Sequence, residues 1–159
     1  MEIYLFRHGI AEDAKAGRSD SSRALTDEGR KKAAEVVKTA RRAGATPSLI
    51  VSSPYVRAIE TAGIAVDGFG YQGEIVRTEA LVPHGSPANV WAELRDYRDE
   101  PAVLLAGHEP LLSHLAAYLL ASPVLRVEMK KAAMIGIGVE SLGPAPHGTL
   151  RWLITPKFC

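Results

Sequence analysis

Arginine and histidine side chains recur in this sequence at the ends of short apolar runs. Arg7 and His8 follow the first run, Arg57 lies shortly after the second, and His108 follows the fourth. Two arginines and two histidines around one pocket would form a concentrated positive site. Such a site suits a dianion such as phosphate, which a guanidinium binds through two parallel hydrogen bonds.

A histidine among these cations is suited to nucleophilic attack on phosphorus. Nearby positive charge disfavours the imidazolium form, so the ring keeps a free lone pair. The same cations stabilise the charge of a phosphoryl group during its transfer. The leaving group also needs a proton, and Glu79 and His84, which follow the third run, are the candidate donors and further substrate contacts. Spacings typical of metal sites, such as HExxH or paired CxxC, do not occur, so we predict neither a metal nor another cofactor.

The apolar runs predict strands that alternate with helices. Strands are expected at four places: Ile3–Phe6, Ser48–Ser52, Glu74–Arg77 and Ala102–Ala106. Helices are expected from Thr26 to about Ala43, from Ser53-Pro54 onward, from Ser86 to about Tyr97, and after Pro110. Alternation of this kind indicates parallel strands, and in an open α/β sheet ligands bind beyond the carboxyl ends of the strands. All the candidate side chains should therefore lie at one edge of the sheet.

The end of the chain follows a different pattern. Ala132–Val139 and Thr149–Ile154 predict two strands with only a turn-rich segment between them, and therefore an antiparallel hairpin. The expected fold is an α/β three-layer sandwich, with a mostly parallel central sheet, an antiparallel C-terminal hairpin and helices on both faces. Residues 1–159 are expected to form a single domain.

Composition narrows the possible partners and the location. The 19 basic and 18 acidic residues leave a formal net charge of +1, which argues against bulk attraction to nucleic acid or to an anionic membrane. No leader-like segment and no apolar stretch of membrane-spanning length is apparent. The one cysteine, Cys159, excludes an internal disulfide, so we expect a cytoplasmic protein. We also expect a monomer.

The segment Ile10–Leu25 is polar and long for a loop in so small a chain. Loops of this length in compact domains are often functional or mobile. Arg18 and Arg23 within it are expected to be solvated, although either has the charge to meet an anionic substrate. Whether this loop closes over the site is left open by the sequence.

Three stretches of the sequence resemble the histidine phosphatase superfamily, which has the phosphoglycerate-mutase-like fold. They are Arg7-His8-Gly9, the segment from Ser52 to Ala62 that contains Arg57, and Gly107-His108. The resemblance implies that His8 is the nucleophile that becomes phosphorylated. It also implies that Arg7, Arg57 and His108 bind the phosphoryl oxygens. The short chain and the stretch His108–Leu111 look most like the SixA-type branch, whose small phosphatases are associated with phosphohistidine in phosphorelay proteins.

Three functions are compatible with these residues. The first is a metal-independent phosphatase that acts through phospho-His8 on a phosphohistidine protein or a small phosphomonoester. The second is a mutase or a selective small-metabolite phosphatase, which would need residues that cover the pocket. The third is a non-catalytic module that binds phosphate or a phosphoprotein. Because the long insertions that close the pocket in mutases are missing, we expect a shallow open groove over His8.

Overall fold

A six-stranded sheet forms the centre of the computed structural model, which describes residues 1–159. Its strands are β1 (Glu2–Arg7), β2 (Leu49–Ser52), β3 (Val76–Arg77), β4 (Ala102–Gly107), β5 (Met134–Val139) and β6 (Gly148–Ile154). They lie side by side in the order β3-β2-β4-β1-β5-β6. The first four strands pair in parallel, β5 is antiparallel to β1, and β6 is antiparallel to β5. This arrangement confirms the mostly parallel sheet and the C-terminal hairpin.

Two pairs of helices cover the two faces of the sheet. The helices are α1 (Asp27–Arg42), α2 (Val56–Phe69), α3 (Pro87–Leu94) and α4 (Leu111–Leu119). Apolar side chains of α1 and α2 belong to one core, and those of α3 and α4 belong to the other. The three-layer arrangement is therefore confirmed. None of the helices combines the length and the apolar character needed to cross a membrane.

Strand β1 contributes to both cores, as its composition predicts. Successive side chains of a strand point to opposite faces. Ile3 and Leu5 therefore pack against α3 and α4, whereas Tyr4 and Phe6 pack against α1 and α2. No more than 4% of any of these four side chains is exposed. The strand is buried on both faces and pairs with β4 on one edge and β5 on the other. These contacts fix the point at which β1 ends, and therefore the position of His8.

Some element boundaries differ from the prediction. Helix α2 begins at Val56 and not at Ser53-Pro54, because the Ser53 N–H still donates to the carbonyl of Ala106 and extends the pairing with β4. Arg57 nevertheless lies in the first turn of α2. Strand β3 has only two residues. Strand β5 begins after Ala132, whose positive φ of 62° and hydrogen bond to the carbonyl of His8 place it in a turn.

The segment after His8 packs tightly against the start of α1. The Thr26 side chain caps this helix by accepting a hydrogen bond from the N–H of Gly29, and the Thr26 N–H donates to the carbonyl of Ile10. The contact is so close that a Cβ atom on Gly29 would lie 2.1 Å from the Ile10 carbonyl oxygen. A Cβ atom on Gly9 would in turn lie 2.8 Å from the Gly29 carbonyl oxygen. Two glycines thus allow the backbone beside His8 to lie directly on α1.

Replacement of Gly29 by alanine should destabilise the protein, although alanine is the better helix former. The new Cβ atom would clash with a backbone oxygen, and we expect the free energy of unfolding to fall by about 2–4 kcal/mol. Gly63→Ala in α2 is the matched control, because a Cβ atom there meets nothing within 4 Å. That variant should gain about 0.5–1 kcal/mol. Urea unfolding measures both values, and equal effects of the two substitutions would contradict the close contact.

Candidate active site

Four of the predicted side chains meet at the carboxyl ends of three neighbouring strands. Arg7 is the last residue of β1, His8 follows it, His108 follows β4, and Arg57 lies in the α2 turn that follows β2. The exposed fractions of His8, Arg57 and His108 are only 7%, 3% and 1%, and Arg7 is partly buried. Parallel pairing therefore brings the cationic and titratable groups to one edge, as the strand alternation predicts.

The hydrogen bonds of His8 define which ring nitrogen is free to react. Its Nδ1 atom lies 2.7 Å from the carbonyl oxygen of Gly9, which can only accept, so we assign the proton to Nδ1. The Nε2 atom then carries the lone pair. It accepts a hydrogen bond of 3.3 Å from the Nε–H of Arg57. His8 is thus oriented with its nucleophilic nitrogen directed to the guanidinium group.

The surroundings of His8 keep the ring uncharged. Burial lowers the pKa of His8 to about 4, although the hydrogen bond to Gly9 acts in the opposite direction. The positive charges of Arg57, Arg7 and Lys131 lower the pKa further. The imidazole is therefore neutral at physiological pH.

His108 lies beside His8 and is held by Ser53. The two imidazole rings are 5.0 Å apart between centroids, and Nε2 of His108 is 2.9 Å from Oγ of Ser53. The Ser53 hydroxyl also accepts the N–H of Tyr55 at 3.3 Å and has a second lone pair, so the contact with Nε2 is compatible with either donor direction. We assign the hydroxyl as the donor, because an N–H at Nδ1 then remains for a ligand. Burial, and then the charges of His8 and Arg57, lower the pKa of His108 to about 3. The neutral ring then carries its proton on Nδ1, which is buried without a partner.

Arg57 makes three polar contacts from a buried position. Besides the bond to His8, its Nη1 atom donates to the carbonyl oxygen of Asp20 at 2.7 Å, and its Nη2 atom donates to Oδ2 of Asp20 at 2.9 Å. Asp20 begins a short 3-10 helix within the Ile10–Leu25 loop and is largely exposed. Its burial, though slight, raises the pKa of this carboxyl, but the hydrogen bonds and charge of Arg57 outweigh that effect and lower it. The carboxylate and the backbone carbonyl of one loop residue therefore occupy the two Nη atoms of the guanidinium.

Arg7 has an unused donor at the site. Its Nη1 atom donates to the carbonyl oxygen of Met129, whereas its Nε atom is buried without a partner. Burial lowers the pKa of Arg7, and the charge of Glu109 raises it, but the group remains a cation. Arg7 Nε and His108 Nδ1 are the two buried side-chain polar atoms of the chain that lack a partner. Buried donors of this kind are normally satisfied, so both are available to an anionic ligand.

The backbone around His8 is held by a threonine that the sequence reasoning missed. The N–H of Gly9 donates to Oγ1 of Thr61 at 3.2 Å, and the Thr61 hydroxyl donates to the carbonyl oxygen of Arg57 at 2.7 Å. Ser53 and Thr61 lie within the motif segment from Ser52 to Ala62, so their positions were indicated but their roles were not. No pattern in the polar loop distinguishes Asp20.

The two candidate proton donors lie apart from these contacts. Glu79 begins a short 3-10 helix after β3, and His84 follows that helix. Both residues are exposed, and neither forms a hydrogen bond or an ion pair with Arg7, His8, Arg57 or His108. Their participation therefore stays a prediction. No group of three or more His, Cys, Asp and Glu side chains is arranged to hold a metal ion.

Comparison with known proteins agrees with this geometry. The family model described as histidine phosphatase superfamily, branch 1, matches residues 3–82, a segment that includes Arg7, His8 and Arg57. An uncharacterized protein from Picosynechococcus sp. is 30% identical in an alignment 164 residues long, gaps included, that covers 99% of this chain and 98% of that protein.

Solved structures share the whole fold. The protein histidine phosphatase SixA in complex with tungstate superimposes with a TM-score of 0.87 at 25% identity, covering 99% of this chain and 98% of that one. A mycobacterial glucosyl-3-phosphoglycerate phosphatase superimposes with a TM-score of 0.68 at 18% identity, covering 94% of this chain and 96% of that one. At 18% identity the second comparison supports the fold alone.

A titration of His8 tests the assigned protonation. We expect the ring to show the Nδ1–H tautomer in nitrogen-15 NMR spectra and to become protonated near pH 4. An unfolded chain binds this proton near pH 6.5, so stability falls as the pH drops from 6.5 to 4. The loss should approach about 1.4 kcal/mol per pH unit for this group. It should be absent in the His8→Gln variant, so the difference between wild type and variant isolates the contribution of His8. A midpoint near 6.5 would contradict the buried neutral ring.

Removal of the Asp20 charge should strengthen anion binding. Asp20 and a phosphate ion compete for the same Nη atoms of Arg57, so Asp20→Asn should lower the Kd for inorganic phosphate by about three- to tenfold. Asp13→Asn, in the same loop but without a contact to Arg57, is the control and should leave the Kd unchanged. Isothermal titration calorimetry at pH 7 measures both. Weaker phosphate binding by Asp20→Asn would show that Asp20 supports the anion site.

Proposed function

Because the chain belongs to the histidine phosphatase superfamily and is therefore a phosphatase, we propose that it works through phosphorylated His8 and that its substrate is a phosphohistidine side chain of another protein. The observation that carries the mechanism is the uncharged His8 ring, whose Nε2 lone pair lies 3.3 Å from the Nε atom of Arg57. A neutral imidazole can act as a nucleophile, and the fixed cations beside it can bind the anionic group that it attacks.

In the first step the lone pair of His8 Nε2 attacks the phosphorus atom. A P–N bond to His8 forms while the bond from phosphorus to the leaving group breaks, and the leaving group takes up a proton from solvent. Arg57, Arg7 Nε–H and His108 Nδ1–H supply positive charge and hydrogen bonds to the three phosphoryl oxygens. Burial holds Arg57 and His108 in place before the substrate arrives, and Arg57 exchanges its contacts with Asp20 for contacts with the phosphoryl group.

In the second step water replaces the leaving group. Its oxygen attacks the phosphorus of phospho-His8, the P–N bond breaks, and the bonding electrons return to Nε2 as a lone pair. The water loses one proton, which balances the proton taken up by the leaving group in the first step. The site then holds inorganic phosphate and a neutral His8, ready for another cycle.

The substrate class follows from the proton that the leaving group needs. Glu79 and His84 are exposed and form no hydrogen bond or ion pair with the four site residues, so neither is held beside the leaving group. A phosphohistidine needs little such help, because its P–N bond is labile once the imidazole is protonated. An alkyl phosphate has a much poorer leaving group and needs a positioned acid. The similarity to SixA over 99% of the chain supports the same substrate class.

Two peptides of identical sequence test the substrate, one with phosphohistidine and the other with phosphoserine at the same position. We expect the wild type to hydrolyse the phosphohistidine peptide with a kcat/KM at least 100-fold higher, and a chelator should have no effect. The His8→Ala variant should lose activity on both peptides and on an aryl phosphate by about a thousandfold or more. Phosphate release measures all three reactions.

His114→Ala is the matched control, because His114 is an exposed histidine of α4 and should be replaceable without loss. Equal rates on the two peptides would show that the substrate class is broader than phosphohistidine. Full activity of His8→Ala would overturn the mechanism itself. Rapid quenching in alkali should also trap an acid-labile phosphoenzyme in the wild type and none in His8→Ala.

A further inference from the structure

A broad groove opens beside Arg7 and is not used by the mechanism. Its volume is about 980 Å³, and it is lined by the segment from Leu125 to Lys131, by β6, and by the C-terminal residues from Thr155 to Phe158. Arg7 lines one part of it, so the groove and the phosphoryl site share a side chain. A polypeptide lying in this groove would therefore reach the reacting atoms.

The lining of the groove is strongly basic. Six of the 19 basic residues of the chain line it, whereas only one of the 18 acidic residues, Glu128, does so. The six are Arg7, Lys32, Arg126, Lys130, Lys131 and Lys157. The remainder of the chain consequently carries more acidic than basic residues. The overall net charge of +1 conceals a local surface that attracts anions.

Three of these cations have no acidic partner. Lys130 pairs with Glu128, and Lys32 pairs with Glu28 at 2.6 Å. Arg126, Lys131 and Lys157 are exposed and form no ion pair within the chain. Their charges are therefore available to a ligand from outside.

The same groove concentrates exposed apolar side chains. Four of the seven large hydrophobic residues that are exposed in this chain line it, namely Leu125, Leu150, Leu153 and Phe158. The exposed fraction of Phe158 reaches 76%. Apolar side chains clustered in this way, with charged residues around them, are typical of a protein interaction surface.

We propose that this groove binds an acidic, apolar segment of the phosphorylated substrate protein, next to the residue that carries the phosphoryl group. The inference rests on the proposed function and deepens it. Glutamate and aspartate side chains of the segment pair with Arg126, Lys131 and Lys157, and its apolar side chains cover the exposed leucines and Phe158. The shared Arg7 places the phosphorylated side chain of the bound segment within reach of His8.

Two synthetic phosphohistidine peptides of 16 residues test this surface. One flanks the phosphohistidine with leucine and glutamate, and the other has lysine in place of every glutamate. The wild type should prefer the acidic peptide by about tenfold or more in kcat/KM at low salt, and the preference should shrink as salt is added. The Arg126→Glu/Lys157→Glu variant should lose that preference through a higher KM, with kcat and aryl phosphate hydrolysis unchanged.

A control variant carries the same change of charge elsewhere. Lys38→Glu/Arg42→Glu alters exposed residues of α1 outside the groove and should keep the wild-type preference within about twofold. Loss of preference in both variants, or its absence in the wild type, would overturn the proposal. Two further results would also overturn the proposal. In either, the wild type binds phosphatidylserine vesicles or dimerises, and Arg126→Glu/Lys157→Glu abolishes that property while the peptide preference remains.

Binding of fluorescent, unphosphorylated versions of the two peptides separates this inference from the proposed function. Anisotropy should give at least a fivefold lower Kd for the acidic peptide, and this measurement needs no turnover. If neither peptide nor aryl phosphate is hydrolysed, the proposed function fails while the difference in Kd still tests the groove. If hydrolysis proceeds but the two Kd values are equal, the groove inference alone fails.

Discussion

The hydrogen bond from Arg57 Nε to His8 Nε2 holds a permanent cation against an uncharged imidazole. This contact is favourable only while His8 is neutral, because an imidazolium would lose the accepting lone pair and meet like charge in a buried site. Burial and the neighbouring cations accordingly lower the pKa of His8 to about 4. The same constraint extends to His108, whose pKa falls to about 3. The site therefore depends on two rings that stay neutral beside two arginines that remain charged.

The scaffold around this contact is built almost entirely from backbone. Parallel pairing of β1 with β4 and of β2 with β4 brings three strand ends together, and the first turn of α2 adds Arg57. The hydroxyl of Thr61 links the N–H of Gly9 to the carbonyl of Arg57, so the segment that follows the nucleophile and the helix that carries the cation are joined. The contact between Gly9 and Gly29 fixes the same segment on α1. Strand pairing thus holds the residues before His8, and the contacts of Gly9 hold the residues after it.

Features encoded in local sequence were predictable, and features that depend on distant contacts were not. The composition of β1 indicated burial on both faces, and the strand–helix alternation indicated that Arg7, His8, Arg57 and His108 would meet. The start of α2 was misplaced because Ser53 pairs with Ala106, about fifty residues away in the chain. Asp20 as the partner of Arg57 was missed because the loop carries no periodic pattern. The basic groove was missed because net charge averages over the whole surface and conceals a local excess.

Asp20 and Arg57 belong to the same chain, so an anion that binds the Nη atoms of Arg57 competes with an intramolecular partner. Any anion that enters must displace a carboxylate that is already tethered nearby, and a tethered group acts at a high effective concentration. A monoanion such as chloride or acetate meets this competition with one negative charge, whereas a phosphoryl dianion meets it with two. We therefore expect the loop to favour doubly charged anions over singly charged ones at Arg57, through competition from a residue of the same chain.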